Sequence, residues 1–230
     1  MFYGIVDLLF SIALKIEELF GQARISLHSI IDNKVDKKYG IDTLSIPDTT
    51  YIPISTKVLK WVFHEYILVG GTERVKFFDY GSGKGKALVL AAELGIKHLG
   101  GVEWFADLVK ISNDNLEKYK SLTGKEILWD IKQGDATLYT EIDEYNVFLF
   151  NNTFGGNPTE VRMVTKVLKN IRESLDRNNR EIFLVYVHPA KNLRQLFDSY
   201  EWLQERQEIQ NKYRPQYDNA YICIFRIYDF

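Results

Sequence analysis

The sequence contains little cysteine and no excess of charge of either sign. Its 230 residues include one cysteine, Cys223, which excludes an intramolecular disulfide. Cys223 lies in an apolar strand-like run, which indicates a buried inert thiol. No cluster of cysteine and histidine suggests zinc, so we expect no metal site. The 29 basic and 31 acidic residues give a formal net charge of −2, so we expect no nucleic-acid partner.

A basic start, typical of a signal peptide, is also missing, although residues 2–20 are rich in apolar side chains. Asp7 interrupts this run and Lys15, Glu17 and Glu18 end it, which disfavours a membrane span. The apolar residues recur at helical spacing, so we predict an amphipathic helix that packs on its own domain or on a second subunit of a homo-oligomer. A membrane-surface helix is the alternative, disfavoured because its polar side is not basic. We expect a cytoplasmic protein.

The chain shows no internal repeat and no low-complexity linker. Its length suffices for one α/β domain with a sizeable core. We therefore predict an N-terminal helical extension and loop over residues 1–50, followed by a single domain over residues 51–230.

Strand and helix patterns alternate after residue 75. Strands are predicted at 75–80, 98–103, 127–132, 145–150, 182–187, 207–213 and 221–228. Helices are predicted at 55–69, from the glycine-rich run to about 95, and at 106–122, 159–175 and 190–200. This alternation predicts a mostly parallel, seven-stranded α/β sheet with helices on both faces and an antiparallel late hairpin.

The most specific motif is the run D-Y-G-S-G-K-G at residues 79–85, between a predicted strand and a predicted helix. In α/β folds this arrangement presents backbone to a nucleotide-like ligand. Lys86 stands where a dinucleotide fingerprint has its third glycine, which disfavours a dinucleotide cofactor. Gly81 and Gly83 allow a close approach that a Cβ would block. We expect Gly85 to let the start of the helix pack against the strand.

Acidic residues follow the next two predicted strands. Glu103 lies 24 residues after Asp79, close to the spacing at which an acid meets ribose hydroxyls. Trp104 follows directly and is a candidate either for the face of a base or for the core. Asp135 and Ala136 follow the third strand in a G-D-A run, which alone would also suit an ordinary turn.

Polar side chains follow the fourth and fifth strands as well. Ligands of such sheets bind beyond the carboxyl ends of the strands, which places Asn151 and Asn152 at the candidate site. Their amides are candidate catalytic groups that accept a hydrogen bond from a substrate amine or hydroxyl, with loop capping as the alternative. His188 is a candidate base for a hydroxyl nucleophile, although a lone histidine more often has a structural role.

These motifs resemble those of class I S-adenosylmethionine (SAM) methyltransferases, in particular a bacterial-type group of unassigned substrate. The matching segments are D-Y-G-S-G-K-G at 79–85, Y-G-I-D-T at 39–43, Y-I-P-I-S at 51–55, G-V-E at 101–103, G-D-A at 134–136, V-F-L-F-N at 147–151 and V-Y-V-H-P at 185–189. That group usually has Asn-Pro-Phe after strand four and Asn before the strand-five proline, where this chain has N-T-F at 152–154 and His188. The N-N-x-F element at 151–154 is also similar to the non-SET histone lysine methyltransferases.

The resemblance implies a Rossmann-like fold, SAM as cofactor and S-adenosylhomocysteine as product. It implies that Asp79 meets the SAM ammonium, Glu103 the ribose and Asp135 the adenine amino group. The other implied cofactor-binding residues are Tyr51, Ser55, Thr56, Gly81, Ser82, Gly83, Gly85, Trp104, Ala136 and Asn151.

We therefore predict a SAM-dependent methyltransferase that moves a methyl group by in-line displacement to a small-molecule or saccharide acceptor. A protein lysine or other nitrogen acceptor is one alternative, motivated by the N-N-T-F run at 151–154. The other is a SAM-binding module without catalysis, because a fold does not fix a function.

Overall fold

The computed structural model describes residues 34–44, 51–154, 156–203, 206–210 and 221–228. The apolar helix predicted near the N-terminus lies outside these ranges, so its contacts with a subunit or a membrane remain predictions. The boundary predicted at residue 50 and the cytoplasmic location remain predictions too. Within the described residues, no helix combines the length and apolar character needed to cross a bilayer.

Seven strands form one sheet, as predicted. They are β1 (Lys76–Tyr80), β2 (His98–Glu103), β3 (Leu128–Gln133), β4 (Val147–Asn151), β5 (Ile182–Val187), β6 (Arg206–Gln210) and β7 (Tyr221–Ile227). The strand order is β3-β2-β1-β4-β5-β7-β6. The first five strands are parallel, and β7 runs antiparallel to both β5 and β6. The order reverses between β1 and β4, which is the point where open α/β sheets bind ligands.

In the part of the chain that the structure describes, six α-helices flank the sheet. They are α1 (residues 34–39), α2 (Thr56–Val62), α3 (Lys86–Glu93), α4 (Ala106–Thr123), α5 (Pro158–Arg177) and α6 (Lys191–Phe197). The single helix predicted over 55–69 is α2 followed by a π-helical turn (Phe63–Ile67) and a 3-10 turn (Leu68–Gly70). The helical spacing of the apolar residues therefore correctly predicts a helical segment. It does not predict the change from α-helical to π-helical and 3-10 hydrogen bonds along that segment.

Two apolar clusters cover the two faces of the sheet. Alternate residues of β1 point to opposite faces, so Phe77 packs with α2 and α3 while Phe78 packs with α5 and α6. Both rings are fully buried, and burying such a side chain contributes about 1.5–3 kcal/mol. Val35 and Tyr39 of α1 belong to the first cluster. The segment 34–44 is thus packed on the same core as the strands that form the site.

Candidate functional site

A cavity of about 600 Å³ lies at the carboxyl ends of β1, β2, β3 and β4. Its volume is within the range of small-molecule and cofactor sites. The predicted site residues that line it are Tyr51, Asp79, Gly81, Ser82, Glu103, Trp104, Asp135, Ala136, Asn151 and Asn152. The described lining does not include Ser55, Thr56, Gly83, Gly85 or His188.

Asp79 is buried at the end of β1, with 4% of its surface exposed. Its carboxylate makes no hydrogen bond or ion pair with the described part of the chain. Burial, and then the negative charge of Glu103, raise the pKa of Asp79 well above its ordinary value. A buried carboxylate without a partner is costly, so this side of the cavity favours a cationic ligand group.

Glu103 ends β2 and is held by backbone amides on both sides. The Gly83 N–H donates to Oε2 at 2.9 Å, and the Phe105 N–H donates to Oε1 at 2.9 Å. Each carboxylate oxygen keeps further acceptor capacity, which suits a pair of hydroxyl donors. The same bonds tie the glycine-rich turn to the end of the neighbouring strand.

Gly83 is covered by the ring of Tyr51, which explains why it does not line the cavity. Its φ is +53°, and a Cβ added there would lie 2.2 Å from Cε2 of that ring. Glycine is therefore required both by the left-handed backbone and by the close approach of Tyr51, whose ring lines the cavity itself.

Gly85 has a different packing role from the predicted one. It is the left-handed N-cap of α3, and a Cβ there would lie 2.1 Å from Oγ of Ser112 on α4. The glycine therefore lets α3 begin against α4, whereas the sequence predicted a contact of the helix start with the strand. The motif alone does not indicate which neighbour approaches.

The loop after β4 is held from both sides. Nδ2 of Asn151 donates to the Ile52 carbonyl at 3.1 Å, which leaves its Oδ1 as an acceptor. Asn152 has φ +53°, a left-handed conformation that asparagine tolerates better than most residues. The Tyr186 hydroxyl donates to the carbonyl of Phe154 at 2.9 Å. These contacts fix the Asn151 amide at the edge of the cavity.

His188 also has a left-handed backbone, with φ +57°, and its N–H donates to the Tyr221 carbonyl at 2.8 Å. Both features belong to the junction of β5 with the antiparallel β7. The structure therefore brings the backbone of His188 to the predicted edge of the sheet, beside the cavity lining and not within it.

Several lining residues were not predicted as site residues. They are Ile52, Pro53, Ile54, Lys86, Ala87, Val102, Phe105, Asp107, Leu108, Gly134, Thr153, Phe154 and Met163. Phe105 and Asp107 lie at the start of α4, so close after Glu103 that their presence in the lining could have been predicted from the sequence. Met163 lies on α5, and only tertiary packing brings it to the cavity. The described lining residues include four with a carboxylate side chain and one with an ammonium, Lys86. The four are Asp79, Glu103, Asp107 and Asp135.

No protein-family model matches the sequence, and no curated relative matches it either. Solved structures do match. An RNA methyltransferase from Salinibacter ruber in complex with S-adenosyl-L-homocysteine is 16% identical, with a TM-score of 0.52 over 78% of this chain and 95% of that one. A human methyltransferase 10 domain containing protein is 12% identical, with a TM-score of 0.58 over 90% of this chain and 98% of that one.

A magnesium protoporphyrin IX methyltransferase from Synechocystis with bound SAM is 13% identical, with a TM-score of 0.51 over 76% of this chain and 79% of that one. At such identities the likeness concerns the fold. The mostly parallel sheet, its late antiparallel hairpin and the cavity at the reversal of strand order agree with it. The chain has the fold of the class I SAM-dependent methyltransferases.

Proposed function

We propose that this protein is a SAM-dependent methyltransferase that acts on a small-molecule or saccharide acceptor. The observation that carries the proposal is the buried Asp79 carboxylate, which faces the cavity beside Glu103 without a partner in the described chain. SAM carries an ammonium and a sulfonium against a single carboxylate, so its net positive charge suits this pair of acids.

The donor-binding residues are assigned by the chemistry of each group. Asp79 binds the ammonium, and the two oxygens of Glu103 accept from the ribose hydroxyls while the backbone amides hold them in place. Asp135, Ala136 and Trp104 line the cavity, and we assign them to the adenine. When bound, SAM supplies a methyl group that is already activated by the sulfonium. The protein's contribution is therefore to orient the acceptor and to exclude water.

The acceptor is held at the β4 side of the cavity. Oδ1 of Asn151 is free to receive a hydrogen bond from an acceptor hydroxyl or amine, because Nδ2 is bound to Ile52. Ile52, Phe154 and Met163 add apolar surface to the lining. The excess of carboxylates over ammonium groups opposes phosphate, which favours a neutral or cationic acceptor over a nucleic acid.

Calorimetry with SAM tests the donor assignment. Asp79→Asn keeps the size of the side chain and removes its charge, so we expect SAM to bind at least about tenfold more weakly, as charged hydrogen bonds contribute about 1.5–3 kcal/mol. Asp143→Asn is the matched control, because that carboxylate is paired with Arg177 and does not line the cavity. A wild-type protein that binds no SAM would contradict the proposal.

A protein nitrogen is the second candidate acceptor, favoured by the fixed Asn151 amide followed by the buried Phe154. The protein should be incubated with methyl-labelled SAM and with separate polypeptide, RNA, glycan and small-metabolite fractions. We expect label in the glycan or small-metabolite fraction. Label found only on polypeptide would replace the first acceptor class by the second, and label only on RNA would exclude both.

A further inference from the structure

The glycine-rich turn is bound to the N-terminal segment through a buried cation. The Lys84 side chain is only 6% exposed, and its Nζ lies 2.9 and 3.0 Å from the two carboxylate oxygens of Asp42. A lysine this deeply buried requires a charged partner. The pair links a residue of the turn to a residue 42 positions earlier in the chain.

Asn115 of α4 fixes both partners through their backbones. Its Oδ1 accepts from the Asp42 N–H at 2.9 Å, and its Nδ2 donates to the Asp42 and Lys84 carbonyls at 2.7 and 2.9 Å. Asn115 is 1% exposed, so these bonds are shielded from water. The ion pair is therefore held in place by α4, which fixes the backbones of both partners through Asn115.

Tyr51 lies between this contact and the cavity. Its hydroxyl donates to the Thr43 carbonyl at 3.2 Å, and Lys84 Nζ is 5.8 Å from its ring centroid. Thr43 is fixed in turn by Asp36, which accepts from its N–H at 2.8 Å and from its hydroxyl at 2.5 Å. The ring covers Gly83 and lines the cavity. The position of one cavity wall thus depends on the segment 36–43.

We infer that Asp42 and Lys84 are positioning residues of the donor site, which hold the Tyr51 ring over the glycine-rich turn. The inference rests on the proposed function for its ligand, since Tyr51 lines the cavity that we assign to SAM. The N-terminal segment 36–43 is then part of the donor site, although none of its residues is among the described lining.

Asp42→Ala tests the inference with little loss of packing, because the Asp42 side chain is 59% exposed. We expect SAM to bind about tenfold more weakly, while kcat changes little because the lost interaction stabilises ground state and transition state alike. In a Tyr51→Leu background the same substitution should cause no further loss, because the effect passes through the ring. An equal loss in both backgrounds would overturn the inference.

Asp130→Ala is the matched control, since Asp130 is 51% exposed and pairs with Lys132 at 3.0 Å on the edge strand β3. It should leave SAM affinity unchanged. Amide hydrogen exchange of the ligand-free protein gives a second readout. Asp42→Ala should expose residues 79–85 to faster exchange, and unchanged protection there would overturn the positioning role. A wild type that binds no SAM would reject the proposed function, while the exchange result still decides whether the pair holds the turn.

Discussion

Gly85 shows how a single residue of the turn is constrained by two independent requirements. Its φ of +76° is a left-handed conformation that costs a non-glycine residue about 1–2 kcal/mol. A Cβ would also approach Oγ of Ser112 to 2.1 Å, and Ser112 is fully buried. Overpacking of this kind costs about 1–3 kcal/mol. Gly85→Ala should therefore lower the free energy of unfolding by the sum of both effects, measured by urea denaturation.

Gly124→Ala is the control for Gly85→Ala at the residue scale. Gly124 has a similar φ of +64° as the C-cap of α4, but nothing lies within 4 Å of its added Cβ. It should lose only the backbone contribution of about 1–2 kcal/mol. Equal losses for the two variants would show that the contact of α3 with α4 does not constrain Gly85.

The N-terminus of α5 determines where the loop after β4 ends. Asn157 accepts from the N–H groups of Thr159 and Glu160 at 3.0 Å, and Glu160 accepts from the Asn157 N–H at 3.1 Å. Asn157→Ala removes this cap and should cost about 1 kcal/mol, or about 2–4 °C in Tm for a chain of this size. Asn157→Asp retains the accepting oxygen and should keep the wild-type Tm in a thermal melt; a loss equal to that of alanine would show that the cap does not stabilise α5.

At the scale of elements, local sequence patterns predict the helices and strands, whereas contacts between residues far apart in the chain are not predicted. β2 and β5 have the predicted bounds. β5 is a continuous apolar run, and β2 ends at its own acidic residue, Glu103. The residues that follow the strands are predictable for the same reason, because parallel strands bring their carboxyl ends to one edge. The pair of Asp42 with Lys84 is not predictable, since it requires α4 to supply Asn115.

At the scale of the whole molecule, two carboxylates, Glu93 outside the site and Asp79 within it, change the stability of the protein with pH in opposite directions. The Glu93 carboxylate contacts the ammonium groups of Lys38 and Lys60 and the Tyr39 hydroxyl, each at 2.7 Å. Burial alone would raise the pKa of Glu93, but these hydrogen bonds outweigh it and lower the pKa to about 2. Because the folded-state pKa is lowered, ionised Glu93 stabilises the protein at pH values above the ordinary pKa of 4.5. This stabilisation is lost as the pH falls toward 2. Glu93→Gln should thus lower Tm at neutral pH, with the difference from wild type shrinking below about pH 4.5.

Asp79 should show the opposite sign. Burial and Glu103 raise its pKa above the ordinary value of 3.8, so the folded protein holds that proton more tightly than the unfolded chain. Its contribution to stability therefore falls as the pH rises above 3.8. Asp79→Asn cannot ionise, so the ligand-free variant should have a higher Tm than wild type at neutral pH, and the two should converge in acid. Thermal melts between pH 4 and 8 measure this difference, and a variant less stable than wild type at neutral pH would contradict it. Excess SAM should raise the Tm of wild type by mass action and that of Asp79→Asn by less, because the charge that destabilises the empty cavity is also the one that binds the donor.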